Sequence, residues 1–566
     1  MKRLDERGAV SGAWSQPTLG AALAEVAASV SLRDTAVQFP DADARARRTT
    51  PAELDEASAR FARALLEEGV RPGDIVGVLM SLGPGLLKVL FGIMRAGAAA
   101  TVLPVAQAPQ LRRFAEAAEM RTLVTDNAHR VVAGQLRELV PVLRLVQSDI
   151  DLPAGRALPQ VGADDLAVVQ FTSGSTMAPR GVMLPHRNIL AGLAAIAVSA
   201  QMTPRDVWVQ WAPHYHDLGL FGMLTNILNG GRTHAVTPRT FVRRPEEFLS
   251  LLSAVGGTLT TGPNFSYDLM VDAARAGRMP DGIDLSSWRL TFNGGEPISV
   301  RTVERFTKTF APAGMAPSVM YPVYGMAEAT LAIAFPPPGA LPVTTWVDRD
   351  LLGTRGEVRP VSRDDAGTTG LVRVGTAVEG LQLRIVADGA VCGERRLGEI
   401  ELRGTAVTPG YYRNDHATAE LFHEGWLRSG DLGFWLDGNL YVGGRRKEMV
   451  IAHGRNYFPA DVEHFAHEVP GVYHGHVVAF ADIGPDGDDR IGLVAETDLP
   501  ADDRPVLAER LRGHVGAELG AAPLRVHLVP PHYLTRSTSG KWQRLAAARR
   551  LATDGPLQDS PQDRET

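Results

Sequence analysis

One cysteine, Cys392, in 566 residues leaves no partner for an intramolecular disulfide and makes a cysteine-based metal cluster implausible. A reducing, cytoplasmic setting is the simplest implication. Basic residues are not in excess either: 58 Lys and Arg stand against 64 Asp and Glu, a formal net charge of −6. A mildly acidic chain of this kind does not suggest a nucleic-acid-binding surface. No apolar run is clean enough to span a bilayer. The most apolar window, residues 85–104, is interrupted by Lys88 and Arg95 and by glycine and proline, so it predicts a buried helix and strand. The opening MKRLDERGAVSG reaches Asp5 and Glu6 with no apolar core behind it, which does not fit a signal peptide. What is present, 45% hydrophobic and 22% charged residues, is the composition of a globular protein. A chain this long is expected to divide into two or more domains.

Local signals order most of the chain. Thr50-Pro51-Ala52-Glu53 combines a capping box with proline at the first helical position, and predicts a helix over 51–68 stopped by Gly69. Strands over 74–80, 100–105 and 123–125 then alternate with helices over 85–96 and 111–120. This pattern predicts an α/β fold, a parallel sheet with helices on both faces. Residues 166–171 form an apolar run expected as a buried strand, 185–199 a helix, 207–211 a strand, and 318–325 one further apolar strand. From Phe335 to Gly375 the rhythm is lost in a Pro- and Gly-rich stretch. Short strands over 381–386, 399–402 and 440–442 predict an antiparallel or barrel-like piece. Beyond Lys447 a smaller unit is expected, with strands at 476–480, 491–496 and 525–529 and a helix at 505–519. Residues 553–566 are polar and expected to be disordered.

Chemistry concentrates in loops. Thr172, Ser173, Gly174, Ser175 and Thr176 place four hydroxyls around one glycine, with Pro179, Arg180 and Gly181 closing the turn. Small side chains, free N–H groups and hydroxyls are what a polyphosphate needs from a loop that must wrap it closely. No Gly-Lys-Ser/Thr follows Gly174, and Trp542 follows Ser539-Gly540-Lys541, so neither site is a Walker loop. His214, His216 and Asp217 are spaced poorly for zinc and suit a polar wall at a pocket mouth. Gly219 to Met223 suits an alkyl chain. Trp288 to Pro297 predicts a strand ending in Asn-Gly-Gly, where a flat ring can approach the backbone. Tyr324 could stack on a base and Glu328 could hold Mg²⁺ beside a triphosphate. Asp431, expected at a turn, with Arg445 could take ribose hydroxyls. A surface ion pair is the plain alternative.

The order of these elements, a hydroxyl-rich loop, Tyr-Gly-x-x-Glu, Ser-Gly-Asp, Gly-Arg-x-Lys and a terminal Ser-Gly-Lys, resembles the adenylate-forming superfamily over about residues 40–550. PHYHDLGL, GPNFSYDL, LSSWRLTFNGGEP and YGMAEATLAIAF are most similar to the fatty acyl-AMP ligases. The resemblance implies a large N-terminal domain over 1–443, of two doubly wound sheets and a small β-barrel. A small mobile α+β domain over 444–552 follows. The long segment after Glu328 corresponds to an insertion near 344–369 that restrains the C-terminal domain and disfavours coenzyme A. Implied cofactors are ATP and Mg²⁺, and implied partners are a fatty acid and a separate acyl carrier protein.

By position, Thr172, Ser173, Gly174, Ser175 and Thr176 would grip phosphates, with Thr172 and Glu328 near the metal. Gly294, Gly295 and Glu296 with Tyr324, Gly325 and Met326 would flank adenine, and Asp431 and Arg445 would fix the ribose. Lys447 would lie at the hinge, and Lys541, Glu328 and His216 would be catalytic. His214, Asp217, Gly219 and Phe265 would face the substrate. Arg180 stands where many relatives have lysine, and Ala327 where acyl-CoA synthetases have threonine. An acyl-CoA synthetase and a non-catalytic acyl or nucleotide sensor are the competing expectations.

Overall fold

The capping box at Thr50 forms as its residues dictate. In the computed structural model Thr50 Oγ1 accepts from the Glu53 N–H at 3.2 Å, Glu53 Oε2 accepts from the Thr50 N–H at 2.7 Å, and the helix runs Pro51–Glu67. The structure describes residues 3–4, 10–11, 14–29, 32, 35–39, 48–150, 157–172, 179–452, 455–467, 469–483, 489–520, 522–536 and 542–554. Two compact units divide the chain: 1–342 with 374–383 and 402–427, and 343–373 with 384–401 and 428–566.

The first unit carries two α/β sheets among its described residues. One has six strands in the order Arg180–Pro185, Leu166–Thr172, Ala99–Val102, Ile75–Leu79, Thr122–Thr125 and Arg144–Gln147. All its pairs are parallel except the first, an antiparallel hairpin that sets Arg180 opposite Thr172. The other has seven strands, in the order Met320–Pro322, Leu290–Asn293, Leu259–Gly262, Val207–Gln210, Arg232–Ala235, Val37–Gln38 and Arg48–Thr49, parallel up to the last pair. Near-continuous burial of the parallel strands explains why they are apolar throughout rather than alternating. Trp211, Phe241, Phe248, Trp288 and Phe306 fill one core on the second sheet, with Trp211 stacked on Phe241 at 4.1 Å between ring centroids.

Two expectations need correction, and one element had no signal. The single strand over 318–325 is two strands, broken at Val323: Met320–Pro322 closes the parallel sheet, while Tyr324–Met326 pairs antiparallel with Leu331–Phe335. Asp431 does not sit at a turn but within the strand Trp426–Leu436, directly across from Arg445. The segment after His216 is a helix, Asp217–Asn229, buried from Gly219 onward, so it offers no amphipathic period to betray it.

The second unit holds a three-stranded sheet, Val477–Ile483, Asp489–Glu496 and Leu524–Val529, antiparallel then parallel. The stretch near 344–369 joins this unit. Its strand Thr344–Asp348 pairs antiparallel with Thr368–Val372, and the helix Arg349–Arg355 lies between them. Arg349 donates to the Glu518 and Thr368 carbonyls and lies 5.1 Å from the Phe465 ring centroid. Thr369 Oγ1 donates to Asp461 Oδ1 at 2.9 Å. Burial pushes the Asp461 carboxyl pKa up, and the Arg349 charge opposes that shift. Cys392, partly exposed and free, ends a hairpin strand across from Ile385. Among the described residues no helix is long and apolar enough to cross a membrane.

Candidate active site

Parallel strands present all their C-terminal ends on one edge, and ligands of open α/β sheets collect there. In the seven-stranded sheet four such ends carry the expected site residues of the first unit. Val207–Gln210 leads to His214, His216 and Asp217; Leu259–Gly262 leads to Phe265; Leu290–Asn293 leads to Gly294, Gly295 and Glu296; and Met320–Pro322 leads to Tyr324, Gly325, Met326 and Glu328. Gly294 lies against this last turn, since a Cβ there would stand 2.8 Å from the Val323 carbonyl oxygen. Gly295 has φ +87°, a left-handed conformation that suits glycine. Gly325 has no room for any side chain, because a Cβ would sit 1.7 Å from the Leu331 carbonyl oxygen.

The end of the six-stranded sheet is tied to the same edge. Gln170 Nε2 donates to the Tyr215 carbonyl at 2.9 Å, which ties the strand that ends at Thr172 to the His214–Asp217 turn. Ser173, Gly174, Ser175 and Thr176 lie outside the described residues.

Glu328 is buried, and its Oε1 accepts from the Tyr411 hydroxyl at 2.8 Å. The Arg180 guanidinium lies 5.4 Å from the Tyr411 ring centroid. Burial, then the neighbouring Glu328 charge, pushes the Tyr411 phenol pKa well up, so it stays a donor. Thr172, Arg180, Tyr411 and Glu328 are therefore linked stepwise: Thr172 faces Arg180 across the hairpin, Arg180 covers Tyr411, and Tyr411 holds Glu328. Thr330 and Leu331, just past Glu328, adopt φ +49° and +82°, a strained turn held by Thr330 Oγ1 donating to the Ala406 carbonyl at 2.8 Å. Tyr411 was not singled out from the sequence. Its one signal, Gly410-Tyr411-Tyr412, has no periodicity to link it to a glutamate 83 residues away.

The Glu328 carboxylate and the Thr172 hydroxyl are hard oxygen donors, the kind Mg²⁺ takes beside phosphate oxygens, so the donor set fits that ion. His214, His216 and Asp217 form no metal-binding group; among the described residues no cluster of three or more His, Cys, Asp or Glu is arranged to hold one. Burial lowers the His214 pKa to about 4, so its ring is neutral near pH 7. Its Nε2 is 3.1 Å from the Met80 carbonyl, and its buried Nδ1 has no hydrogen-bond partner among the described residues. Asp217 opens its helix, with Oδ1 accepting from the Leu218 N–H at 2.8 Å. Gly219 packs on the Pro213 carbonyl, where a Cβ would come within 2.1 Å. Phe265 meets Trp211 edge to face at 5.6 Å.

In the second unit Arg445 Nε lies 3.2 Å from Asp431 Oδ1, with the carboxylate largely buried and the arginine half exposed. Lys447 occupies the single turn Arg446–Glu448. Lys541 lies outside the described residues. Nearby, Arg544 is held between Glu448 at 2.7 Å and Glu463 at 2.6 Å.

Strand ends aligned on one edge of a parallel sheet, with a buried glutamate just past the last of them, are the arrangement of an α/β enzyme that handles a nucleotide. The chain belongs to the AMP-binding enzyme family, whose model matches residues 24–412. It is 31% identical over 523 residues to the long-chain-fatty-acid--AMP ligase FadD26 of Mycobacterium tuberculosis, covering 86% of this chain and 88% of that one. It is 30% identical over 524 residues to the medium-chain-fatty-acid--[acyl-carrier-protein] ligase JamA of Moorena producens, covering 87% and 88%. A structure from work on fatty acyl-adenylate ligases of E. coli and L. pneumophila aligns with TM-score 0.87 at 28% identity, over 95% of this chain and 98% of that chain. The L. pneumophila fatty acyl-adenylate ligase in complex with acyl adenylate and pyrophosphate aligns with TM-score 0.73 at 25% identity, over 98% of each.

Proposed function

We propose that the protein activates a fatty acid with ATP and passes the acyl group to the phosphopantetheine thiol of a separate acyl carrier protein. A carboxylate oxygen attacks the α-phosphorus, the bond to the bridging oxygen breaks, and pyrophosphate leaves with that electron pair, giving acyl-AMP. The thiol sulfur then attacks the acyl carbonyl, AMP departs, and the thiol proton passes to solvent. Attacking and attacked groups are both anionic in the first step, so the site must cancel repulsion and align the attack. Bound Mg²⁺ would neutralise phosphate charge, held by Glu328 and Thr172.

Tyr411 fixes the rotamer of Glu328. Gly294, Gly295, Glu296, Tyr324, Gly325 and Met326 take the adenine, and Asp431 and Arg445 the ribose. Lys541 bridges the carboxylate and the α-phosphate, while Lys447 serves as the hinge. His214, His216, Asp217, Gly219 and Phe265 line the approach of the acid. A cytoplasmic setting rests on the lone cysteine.

The observation that carries this reading is the alignment of four parallel strand ends on one edge, with the strand that ends at Thr172 tied to the His214–Asp217 turn, in a member of a family that includes fatty-acid ligases. Purified protein incubated with ATP, Mg²⁺ and acids of graded length is expected to release pyrophosphate, and then to load a holo carrier protein faster than coenzyme A. Rapid acyl-CoA formation would assign it to the coenzyme A ligases instead. No acid-dependent pyrophosphate release at any chain length would overturn the reading.

A further inference from the structure

A fully buried carboxylate in the second unit has no part in the steps above. Glu496 ends the strand Asp489–Glu496 with its side chain 0% exposed. Its Oε2 accepts from His476 Nδ1 at 2.8 Å, and its Oε1 accepts from the Leu534 N–H at 2.6 Å. Burial alone would raise its pKa. The His476 hydrogen bond and the Leu534 and His532 N–H groups more than reverse that, holding the carboxyl below its ordinary range. Removing a charge from water this completely is expensive, and an apolar residue would fill the same space more cheaply. What the charge gains is contact with two separate stretches of chain.

Leu534, bound by Glu496 directly, and Trp542, reached through the His476 ring, flank in sequence the segment that ends in Lys541. On the incoming side Leu534 is tied directly to Glu496. On the outgoing side the His476 ring packs edge-on against Trp542, with centroids 5.1 Å apart and planes at 71°. The Arg536 guanidinium also lies over the Trp542 ring, 3.6 Å from its centroid. Arg536 and Trp542 face each other as an antiparallel bridge, and the Gln543 N–H donates to the Thr535 carbonyl at 3.1 Å just outside it. One carboxylate therefore contacts one of these stretches directly and the other through one imidazole.

We propose that Glu496 and His476 are positioning residues for adenylation, fixing residues 534–536 and 542–543, the two stretches that flank Lys541 in sequence. The proposal rests on the assignment of Lys541 to the adenylation step. His476 must donate from Nδ1, because Glu496 in its ionised form only accepts. A side chain of similar shape without that N–H frees Trp542 from Glu496 while leaving the sheet intact.

The test measures both half-reactions in the full-length enzyme: fatty-acid-dependent pyrophosphate release, and carrier loading from supplied acyl-AMP. His476→Phe keeps a ring against Trp542 but loses the donor. Glu496→Gln keeps the shape and strands no charge, so it answers the question even if His476→Phe fails to fold. Both are expected to lower kcat for pyrophosphate release by about 10- to 100-fold, the scale of a misplacement near 1 Å. KM for ATP and for the acid, and loading from acyl-AMP, stay at wild-type values. His476→Gln, which restores an N–H toward Glu496, recovers most of the lost rate. An equal fall in both half-reactions, a rise in KM with unchanged kcat, or no fall at all overturns the proposal. Lys541→Ala, run in parallel, separates the two claims. If it leaves pyrophosphate release intact, the lysine assignment fails and takes the proposal with it. If it abolishes release while His476→Phe and Glu496→Gln do not lower it, the proposal alone is wrong.

Discussion

Tyr411 holds the Glu328 carboxylate through a hydrogen bond, and Gly325, three residues earlier, lets its strand pass the Leu331 carbonyl by having no side chain. Tyr411→Phe removes the only hydroxyl on that ring and leaves a buried carboxylate oxygen short of a donor. The expected outcome is a stability loss of about 1–3 kcal/mol, together with a higher Mg²⁺ concentration for half-maximal pyrophosphate release. Thermal unfolding and a Mg²⁺ titration check the two parts separately. Gly325→Ala places a carbon where the Leu331 carbonyl oxygen already stands, and backbone cannot yield as a flexible side chain does. Its expected result is loss of soluble protein or a stability loss of about 3 kcal/mol or more, read from expression yield and melting temperature.

At the scale of elements, the helix Arg349–Arg355 and the strand beside it belong with the C-terminal elements because of a few specific contacts. Arg349 is their centre, meeting the Glu518 and Thr368 carbonyls and the Phe465 ring and opposing the burial of Asp461. Arg349→Ala leaves Asp461 buried without that compensation and is expected to cost about 2–4 kcal/mol. Adding Asp461→Asn, which removes the stranded charge, recovers part of the loss in a denaturant titration. Elements such as the helix Pro51–Glu67 were legible because their signals are local, a capping box and a proline at the first turn. The helix Asp217–Asn229 was not, because burial on nearly every side erases the polar stripe that a periodicity argument needs. The break at Val323 was hidden for a related reason: both flanking strands are apolar, and only their partners in different sheets divide them. The helix Arg544–Asp554 was missed because its residues are mostly charged or small, leaving Ala547 and Leu551 as its fully buried positions.

For the molecule as a whole, the family was legible from motif order, while the contacts that hold the candidate residues were not. Tyr411 and Glu328, or His476 and Trp542, meet only once distant stretches have folded. The same burial shapes the acid response. Burial lowers the pKa values of His186 and His214 to about 4, against 6.5 for the free side chain, and lowers that of His234 as well. Between those values the unfolded chain binds protons that the folded chain refuses, so stability falls as pH drops from about 6.5 toward 4 and levels off below. His186 and His214 each account for up to about 3 kcal/mol of that loss. Urea titrations at pH 7.5, 6, 5 and 4 check the slope; a flat profile above pH 5 contradicts it.

Cys392 gives the chain a use that its chemistry does not. As the lone thiol, partly open to solvent on a hairpin of the second unit, it can take a nitroxide or a fluorinated tag from the natural sequence, with no competing thiol to remove first. A spectroscopist can then record the line shape of that unit alone while nucleotide, acid and carrier are added in turn.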